Sequence, residues 1–281
     1  MDLFQILILA VIQGAAELLP VSSSAHVIMA EKMMGLDPTS PEMTLLLVML
    51  HTGTMFATIV YFWSSWKKTY FESIAAFRLN VLYLVAATGL TGIVGYGLQQ
   101  IIKYVFVANP SEFEIEHLFG SAPLMATALA SAGLLIIGSS RIKEKPEGQM
   151  SLRSALIIGA VQGLCLPFRG FSRSGATIST GLVVGVARRK AEEFSFALGV
   201  AITPAVVARE AYRVYQAQLA VPAAHTDWIM HLAMPSLLGL VFSFLAGLVA
   251  LRWLSRWLEQ GRWYFFGGYC LVAAVVVLVV G

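Results

Sequence analysis

Two polar stretches interrupt an otherwise apolar chain, and each begins with a Gln-Gly pair. The first contains Glu17, Ser23 and His26, and the second contains Arg173 within a run of Gly, Ser and Thr residues. A carboxylate, a hydroxyl and an imidazole can catalyse phosphoryl transfer, and an arginine can bind the phosphate oxygens. Ionisable groups at membrane depth are costly and usually serve catalysis or transport. Each half of the chain carries one stretch, so we predict one composite site built by an internal repeat.

The spacing of the first stretch places its reactive groups on two helix faces. Gln13 and Glu17 are four residues apart and share one face. Pro20 ends that helix, and Ser23 and His26 lie three residues apart on the next. We predict that Ser23 attacks or polarises the phosphorus, and that His26 is the nucleophile or the general acid/base. Glu17 would hold a divalent metal or orient His26.

Each of these residues also has a simpler interpretation. The serines Ser22–Ser24 are typical of a helix cap, and a single histidine is often a hydrogen-bonded packing residue. His51, in the middle of an apolar run, either lines the cavity or forms a hydrogen bond across helices. These alternatives stay open, although the combination with Glu17 favours the functional interpretation.

The second stretch predicts a phosphate-binding loop. Residues 170–175 are rich in Gly and Ser and directly precede a helical run, Ala176–Val186. A helix N-terminus presents amide N–H groups and the positive end of the helix dipole to an anion. Arg173 adds a planar, forked cation that suits phosphate oxygens. The alternative is that the stretch is only a helix cap and that the Arg173 side chain extends to the membrane interface. The predicted substrate-binding residues are Arg169, Ser172, Ser174, Gly175, Thr177 and, in the first half, His51.

The composition indicates a polytopic membrane protein. Hydrophobic residues make up 58% of the 281 residues and charged residues 12%, whereas a soluble domain has about 25% charged residues. The net charge of +3 gives no indication of nucleic-acid binding. No basic region precedes the apolar run Leu3–Ile12, so a cleavable signal peptide is not expected. Cys165 and Cys270 lie in apolar segments and are predicted to be buried and free.

Apolar segments and basic loops together predict the topology. Six segments have the about 20 apolar residues that a span needs, and 13 of the 19 Lys and Arg residues lie in loops on one side of them. Because basic loops stay in the cytoplasm, that side is predicted to be cytoplasmic. The six predicted spans are Met43–Trp63, Asn80–Ile101, Phe119–Gly138, Ala191–Arg213, Met230–Leu251 and Trp263–Gly281.

Two further apolar segments, Met1–Gly35 and Ser151–Ala187, are each interrupted by Pro and Ser and are too long for one span. Since the other spans fix where they start and end, we predict re-entrant helix–break–helix hairpins, the first from outside and the second from inside. Two ordinary kinked spans are the alternative. The predicted fold is an all-α integral membrane domain with an inverted-topology repeat, residues 1–140 and 141–281, of six transmembrane helices plus two re-entrant hairpins.

Both stretches resemble the signature of an enzyme family. Residues 13–26 are similar to the Glu/Gln-x-x-x-Glu, Pro-Val-Ser-Ser and His signature of the undecaprenyl-diphosphatase, or bacitracin-resistance, family. Residues 170–177 are similar to its Pro-Gly-x-Ser-Arg-Ser-x-x-Thr motif, and residues 50–54 and 193–196 also resemble family segments. The resemblance implies hydrolysis of undecaprenyl diphosphate to the monophosphate at the outer face of the bacterial plasma (inner) membrane. It also implies a divalent cation, Mg or Ca, and a role in peptidoglycan synthesis and bacitracin resistance.

The family's essential positions are matched by Glu17, Ser23, His26 and Arg173, and its phosphate loop by Ser172, Ser174 and Thr177. Arg169 departs from the pattern, because the family has proline there, and Gln13 weakens the case for a two-carboxylate metal site. Glu17 and Gln13 are the expected metal ligands. The expected partners are a polyprenyl diphosphate lipid and the membrane, without nucleic acid, and a homodimer is compatible with this architecture.

Two other functions compete with hydrolysis. Inverted repeats with broken helices also occur in transporters, so the chain could be a flippase for polyprenyl phosphate. The cluster of Glu17, Ser23 and His26 argues against this, because a flippase needs an anion site but no nucleophile. An anion channel would require polar or charged rings along the spans, and the spans are almost uncharged.

Overall fold

The computed structural model describes residues 2–36, 41–106, 121–168, 170–219 and 227–280. All regular secondary structure in these residues is helical, which confirms the prediction of an all-α fold. A π-helical turn, Ile102–Phe106, extends the fourth helix. In chain order the α-helices are α1 (Leu3–Leu18), α2 (Ser23–Met33), α3 (Pro41–Tyr70), α4 (Ile74–Ile101), α5 (Ala122–Ser140), α6 (Leu152–Cys165), α7 (Arg173–Val183), α8 (Arg188–Leu219), α9 (Asp227–Glu259) and α10 (Tyr264–Val280).

Among the residues that the structure describes, five helices are long and apolar enough to cross a membrane, and they coincide with five predicted spans. The sixth predicted span corresponds to α10, whose 17 residues are slightly fewer than the about 20 that a span needs. Large apolar side chains such as Val85, Ile93 and Val249 are exposed on the long helices, as contact with lipid requires. The chain is therefore a multi-pass membrane protein. The candidate spans are Met43–Tyr70, Ile74–Val105, Ala122–Ser140, Arg188–Arg209 and Met234–Glu259.

Both predicted hairpins are helix–break–helix segments. In the first, α1 and α2 pack against each other around a break at residues 19–22, and in the second α6 packs against α7. Ser22 has a φ of 67°, a left-handed conformation that is uncommon for a residue other than glycine. Pro20 and the serines thus end one helix and start the next, as predicted. Four residues at the ends of predicted segments lie outside the described residues: Met1, Phe119, Gly120 and Gly281.

The helices form two compact units. In the first unit, Leu9, Val27 and Leu50 belong to a buried core that joins α1, α2 and α3. In the second unit, Ala87 and Ile158 belong to a core that α8 completes. The first unit comprises Met1–Leu18, Ser23–Phe62 and Gly199–Leu254, and the second comprises Leu19–Ser22, Trp63–Leu198 and Ser255–Gly281.

In the first unit, a glycine lets α1 approach the backbone of α9. A Cβ atom at Gly14 would lie 2.6 Å from the Cβ of Ala246 and 2.7 Å from the carbonyl oxygen of Ser243. The amide nitrogen of Gly247 would be 3.1 Å away. A side chain therefore does not fit at Gly14, and small residues on both helices permit the close contact that replaces hydrophobic association inside a membrane.

The second unit contains the same contact between α6 and α4. A Cβ atom at Gly163 would lie 2.8 Å from the Val94 Cβ, 2.8 Å from the carbonyl oxygen of Thr91 and 3.1 Å from the Gly95 amide nitrogen. The atom types and their spacing along the partner helix match those around Gly14. Each hairpin thus packs its first helix, through the glycine of its Gln-Gly pair, on a helix from the other half of the sequence.

A polar link accompanies the α4–α6 contact. The hydroxyl of Thr91 lies 2.8 Å from the carbonyl oxygens of both Ala87 and Gly159, on the two helices. The Gln162 amide donates to this hydroxyl over 3.2 Å. Because the alternative in lipid is an unpaired polar group, such links add specificity to helix pairing.

We predict that Gly163→Ala lowers the melting temperature of the purified protein in detergent. The added methyl would meet the α4 backbone, and overpacking of this kind costs about 1–3 kcal/mol. Gly92→Ala is the matched control, because a Cβ atom at Gly92 on α4 has nothing within 4 Å, and alanine favours the helix. Equal melting temperatures for the two variants would contradict the close α4–α6 contact.

Candidate active site

The carboxylate of Glu17 is the centre of the polar cluster in the first unit. Its Oε2 atom accepts a 2.5 Å hydrogen bond from the Ser23 hydroxyl and a 3.2 Å hydrogen bond from the Gln13 amide. Glu17 lies in the last turn of α1, just before the break, and Ser23 starts α2, so the hairpin turn itself brings them together. A serine hydroxyl that donates to a carboxylate has an acceptor in place for its proton.

His51 on α3 contacts the same carboxylate oxygen. Its Nε2 atom lies 3.8 Å from Glu17 Oε2, and its Nδ1 atom lies 2.8 Å from the carbonyl oxygen of Leu47. A carbonyl only accepts, so Nδ1 carries a proton and Nε2 is the nitrogen that faces the carboxylate. The 3.8 Å distance is too long for a hydrogen bond, so both interpretations of His51 stay open. The carboxylate and the imidazole are both partly accessible, with side-chain exposures of 21% and 35%.

His26 lies on α2, three residues after Ser23, and its side chain is half-buried. Both residues are helical, so the spacing that predicts a shared face applies to them. Gln13 is 1% exposed. The structure thus brings Gln13, Glu17, Ser23 and His51 together, and His26 follows on the same short helix as Ser23.

In the second unit, the predicted phosphate loop is the N-terminus of α7. Ser172 is the N-cap: its hydroxyl oxygen accepts a 3.2 Å hydrogen bond from the amide of Gly175. Gly170 has a φ of 100°, and a Cβ atom there would lie 2.5 Å from the carbonyl oxygen of Met125, so only glycine fits. The helix begins at Arg173 rather than at the predicted Ala176, because Ser172 caps it earlier. Arg169 lies outside the described residues.

The hydroxyl groups of this loop have partners within the second unit. Ser174 donates to the carbonyl oxygen of Leu19 over 3.4 Å, and Thr177 lies 2.8 Å from the carbonyl oxygen of Arg173 and 2.6 Å from the Ser195 hydroxyl. Ser172, Ser174 and Thr177 are all buried. Their direct binding of phosphate stays a prediction, and in the structure they hold the loop.

Arg173 is the first residue of α7 and is half-buried. Its Nη1 atom donates to the main-chain carbonyl oxygen of Ser195 on α8 over 3.1 Å. The guanidinium has five N–H donors, so an anchored arginine can still bind phosphate oxygens in bidentate fashion. The first amides of a helix have no intrahelical acceptor, so the N-terminus of α7 combines these donors with the Arg173 charge.

The comparisons with known proteins agree with this chemistry. The family model described as "Bacitracin resistance protein BacA" matches residues 6–276. The chain belongs to this family. It is 63% identical to "Undecaprenyl-diphosphatase 2" of Acinetobacter baylyi, over 99% of this chain and 98% of that protein. It is 32% identical to "Undecaprenyl-diphosphatase 2" of Burkholderia ambifaria (99% and 96% covered) and 31% identical to "Undecaprenyl-diphosphatase" of Korarchaeum cryptofilum (99% of both).

The resemblance to this family implies a divalent cation. The polar residues of the first unit show whether suitable ligands for such a cation are present. Within the described part of the chain, no three or more His, Cys, Asp or Glu residues converge on a metal position. Magnesium, however, is commonly bound by one or two carboxylates together with substrate phosphates. Glu17 supplies one such carboxylate, and the carboxamide oxygen of Gln13 is a weaker neutral ligand. The donor set fits a cation that is bound together with a diphosphate.

Sequence reasoning did not identify the role of Ser195. It lies in the segment 193–196, which resembles a family segment, but its spacing from the phosphate loop gives no signal of contact with Arg173. The link to α8 arises from tertiary packing. By contrast, the prediction that Cys165 and Cys270 are buried and free is confirmed.

We predict that Ser172→Ala lowers the free energy of unfolding by about 1 kcal/mol, because it removes the N-cap of α7. Ser172→Thr retains the hydroxyl and should keep most of the stability. The measurement is the melting temperature of both variants in the same detergent. An alanine variant as stable as the threonine variant would mean that the cap contributes nothing.

Proposed function

We propose that the chain hydrolyses undecaprenyl diphosphate to undecaprenyl phosphate and phosphate, and so recycles the lipid carrier for cell-wall synthesis. The observation that carries this function is the 63% identity, over the whole length, to a protein named undecaprenyl-diphosphatase 2. The pairing of a serine hydroxyl with a carboxylate supports it from the geometry. A flippase is not favoured, because a carrier has no use for an activated hydroxyl.

Ser23 is the attacking group of the proposed reaction. Its oxygen bonds to the terminal phosphorus while Glu17, 2.5 Å away, accepts the proton. The bond between that phosphorus and the bridging oxygen breaks, and undecaprenyl phosphate leaves. Glu17 then releases this proton to solvent. Water attacks the phosphoserine, Glu17 takes a proton from that water and passes it to the Ser23 oxygen as the P–O bond breaks, which releases phosphate and restores the serine. Ser23 is favoured over His26 as nucleophile because its proton already points at a carboxylate.

The remaining residues bind and orient the headgroup. Arg173 and the first amides of α7 hold the phosphate oxygens, and His26 protonates the bridging oxygen as it leaves. His51 lies beside the Glu17 carboxylate, with its Nε2 atom 3.8 Å away, and lines this part of the site. Glu17 and Gln13 would hold a divalent cation, which when bound neutralises charge on the diphosphate. That both clusters act on one headgroup is predicted from the sequence.

The activity prediction uses the purified protein, undecaprenyl diphosphate and a measurement of phosphate release. A chelator should abolish release, and added Mg²⁺ or Ca²⁺ should restore it. Glu17→Gln should lower turnover by about 10²–10⁴-fold, the range expected for a lost general base. No metal concentration should rescue this variant, because an amide cannot take the Ser23 proton.

Three outcomes would revise the proposal. Wild-type protein that releases no phosphate would refute the hydrolase function. Partial rescue of Glu17→Gln by high metal would restrict Glu17 to a metal ligand. Normal turnover of His26→Ala would remove His26 from the reaction. Gln13→Glu should tighten metal binding, since a carboxylate is a stronger ligand for a hard cation.

The proposed membrane arrangement is six spans and two re-entrant hairpins in the bacterial plasma membrane, with the active site open to the outer, periplasmic side. Met1–Gly35 opens outward and Ser151–Ala187 opens inward, because basic loops fix the other spans. The matched contacts around Gly14 and Gly163 support the internal repeat: in both, the first hairpin helix of one half packs on the second span of the other.

Labelling of single cysteines tests this topology. Glu147→Cys lies in the exposed loop before α6 and should react with a membrane-impermeant thiol reagent only after permeabilisation. Met33→Cys, at the exposed end of α2, should react on intact cells. The two native cysteines are buried, so background should be low. Position 147 labelled only from outside would contradict the inverted repeat.

A further inference from the structure

The segment 193–196 on α8 resembles a family segment, and the proposed reaction assigns it no role. Its central residue, Ser195, is fully buried. Two contacts connect Ser195 to the phosphate-binding end of α7. Its main-chain carbonyl oxygen accepts the Arg173 guanidinium over 3.1 Å, and its hydroxyl lies 2.6 Å from that of Thr177.

The Thr177 hydroxyl lies between the Ser195 hydroxyl and two main-chain carbonyl oxygens, that of Arg173 at 2.8 Å and that of Ser174 at 3.3 Å. A carbonyl oxygen can only accept. With the single Thr177 proton on the shorter of these carbonyl contacts, the Thr177 oxygen accepts the proton of the Ser195 hydroxyl. The chain of bonds runs from Ser195 through Thr177 to the main chain of Arg173. Ser195 thus contacts the guanidinium of Arg173 directly and the carbonyl oxygen of Arg173 through the Thr177 hydroxyl.

The N-terminal turns of α8 are themselves anchored. Glu193 accepts hydrogen bonds from Ser65 and from Arg189, and the indole of Trp66 donates to the Glu193 carbonyl oxygen over 3.2 Å. Glu192, 3% exposed, accepts a 2.5 Å hydrogen bond from Ser255. These contacts come from several helices of the second unit. They hold this part of α8, and with it Ser195, in place beside α7.

We infer that Ser195 is a positioning residue that sets the direction of the Arg173 guanidinium through the Thr177 hydroxyl and its own carbonyl group. The inference rests on the proposed function, in which Arg173 binds the diphosphate. An arginine held at its main-chain carbonyl and at its guanidinium keeps its fork directed at the phosphates, and small misplacements of such groups cost large factors in rate. Ser195 therefore acts on turnover without touching the substrate.

The test is a double-mutant cycle with purified protein and undecaprenyl diphosphate. Ser195→Ala removes the hydroxyl but retains the carbonyl and should lower kcat about tenfold, with KM changed less than about twofold. Arg173→Lys should itself lose most activity, because lysine lacks the planar fork. In the Arg173→Lys background, Ser195→Ala should change kcat less than about twofold, since the group that it positions is gone.

Ser179→Ala is the matched control. Like Ser195, Ser179 has a fully buried hydroxyl. Ser179 lies on α7, however, and its hydroxyl accepts a 3.2 Å hydrogen bond from the Trp263 indole. Ser179→Ala should change kcat less than about twofold in both backgrounds. If Ser195→Ala does not fold, Thr177→Val breaks the same chain of bonds and enters the same cycle in its place.

The outcomes separate this inference from the proposed function. Inactive wild-type protein refutes the hydrolase itself. Active wild-type protein, with equal losses on Ser195→Ala in the wild-type and Arg173→Lys backgrounds, overturns the positioning role. A loss confined to melting temperature, with normal kcat, also overturns it. A loss of about tenfold that disappears with Arg173→Lys establishes it.

Discussion

In the hydrocarbon core of a membrane, every polar main-chain group must find a partner within the protein. Helices satisfy their own interiors, but each helix break exposes the end groups of two helices. At the second break, Ser172 accepts an amide of α7, Ser174 donates to Leu19 and Thr177 donates to a carbonyl. These hydroxyls replace the water that would solvate such a break at a protein surface. A helix break of this kind can exist because short polar side chains surround it.

This constraint changes what the polar residues of the second stretch do. The sequence predicts that Ser172, Ser174 and Thr177 bind phosphate, yet each has an internal partner in the structure. In the proposed function, recognition of the diphosphate then depends on the amides of the first α7 turn and on Arg173. Main-chain amides and a guanidinium are rigid donors, so the hydroxyls contribute by fixing their direction. A loop composed of Gly, Ser and Arg suits both direct phosphate binding by hydroxyls and a structural role for those hydroxyls. Composition alone therefore could not distinguish the two roles.

Local rules predicted the helices and their breaks, because caps and proline act on residues nearby in the sequence. Pro20 and the serines marked the first break, and α2 begins at Ser23 as expected. The contacts between distant segments could not be predicted in this way. Neither the spacing of His51 nor that of Ser195 indicates a partner, because tertiary packing brings them to Glu17 and Arg173. The glycines at 14 and 163 had a visible Gln-Gly signal, but their partner helices became known only from the structure.

The two hairpins match in their packing, but they differ in their acidic residues, because Ser151–Ala187 contains no Asp or Glu. Gln13 and Gln162 are both buried amides that precede the packing glycine. Gln13 donates to Glu17, four residues on, whereas Gln162 donates to Thr91 on α4. The residue four positions after Gln162 is Leu166, so the second hairpin has the same Gln-Gly packing but no carboxylate at the position that corresponds to Glu17. A second carboxylate next to the diphosphate would repel it. In the proposed reaction, the first hairpin supplies the base and the second supplies the arginine.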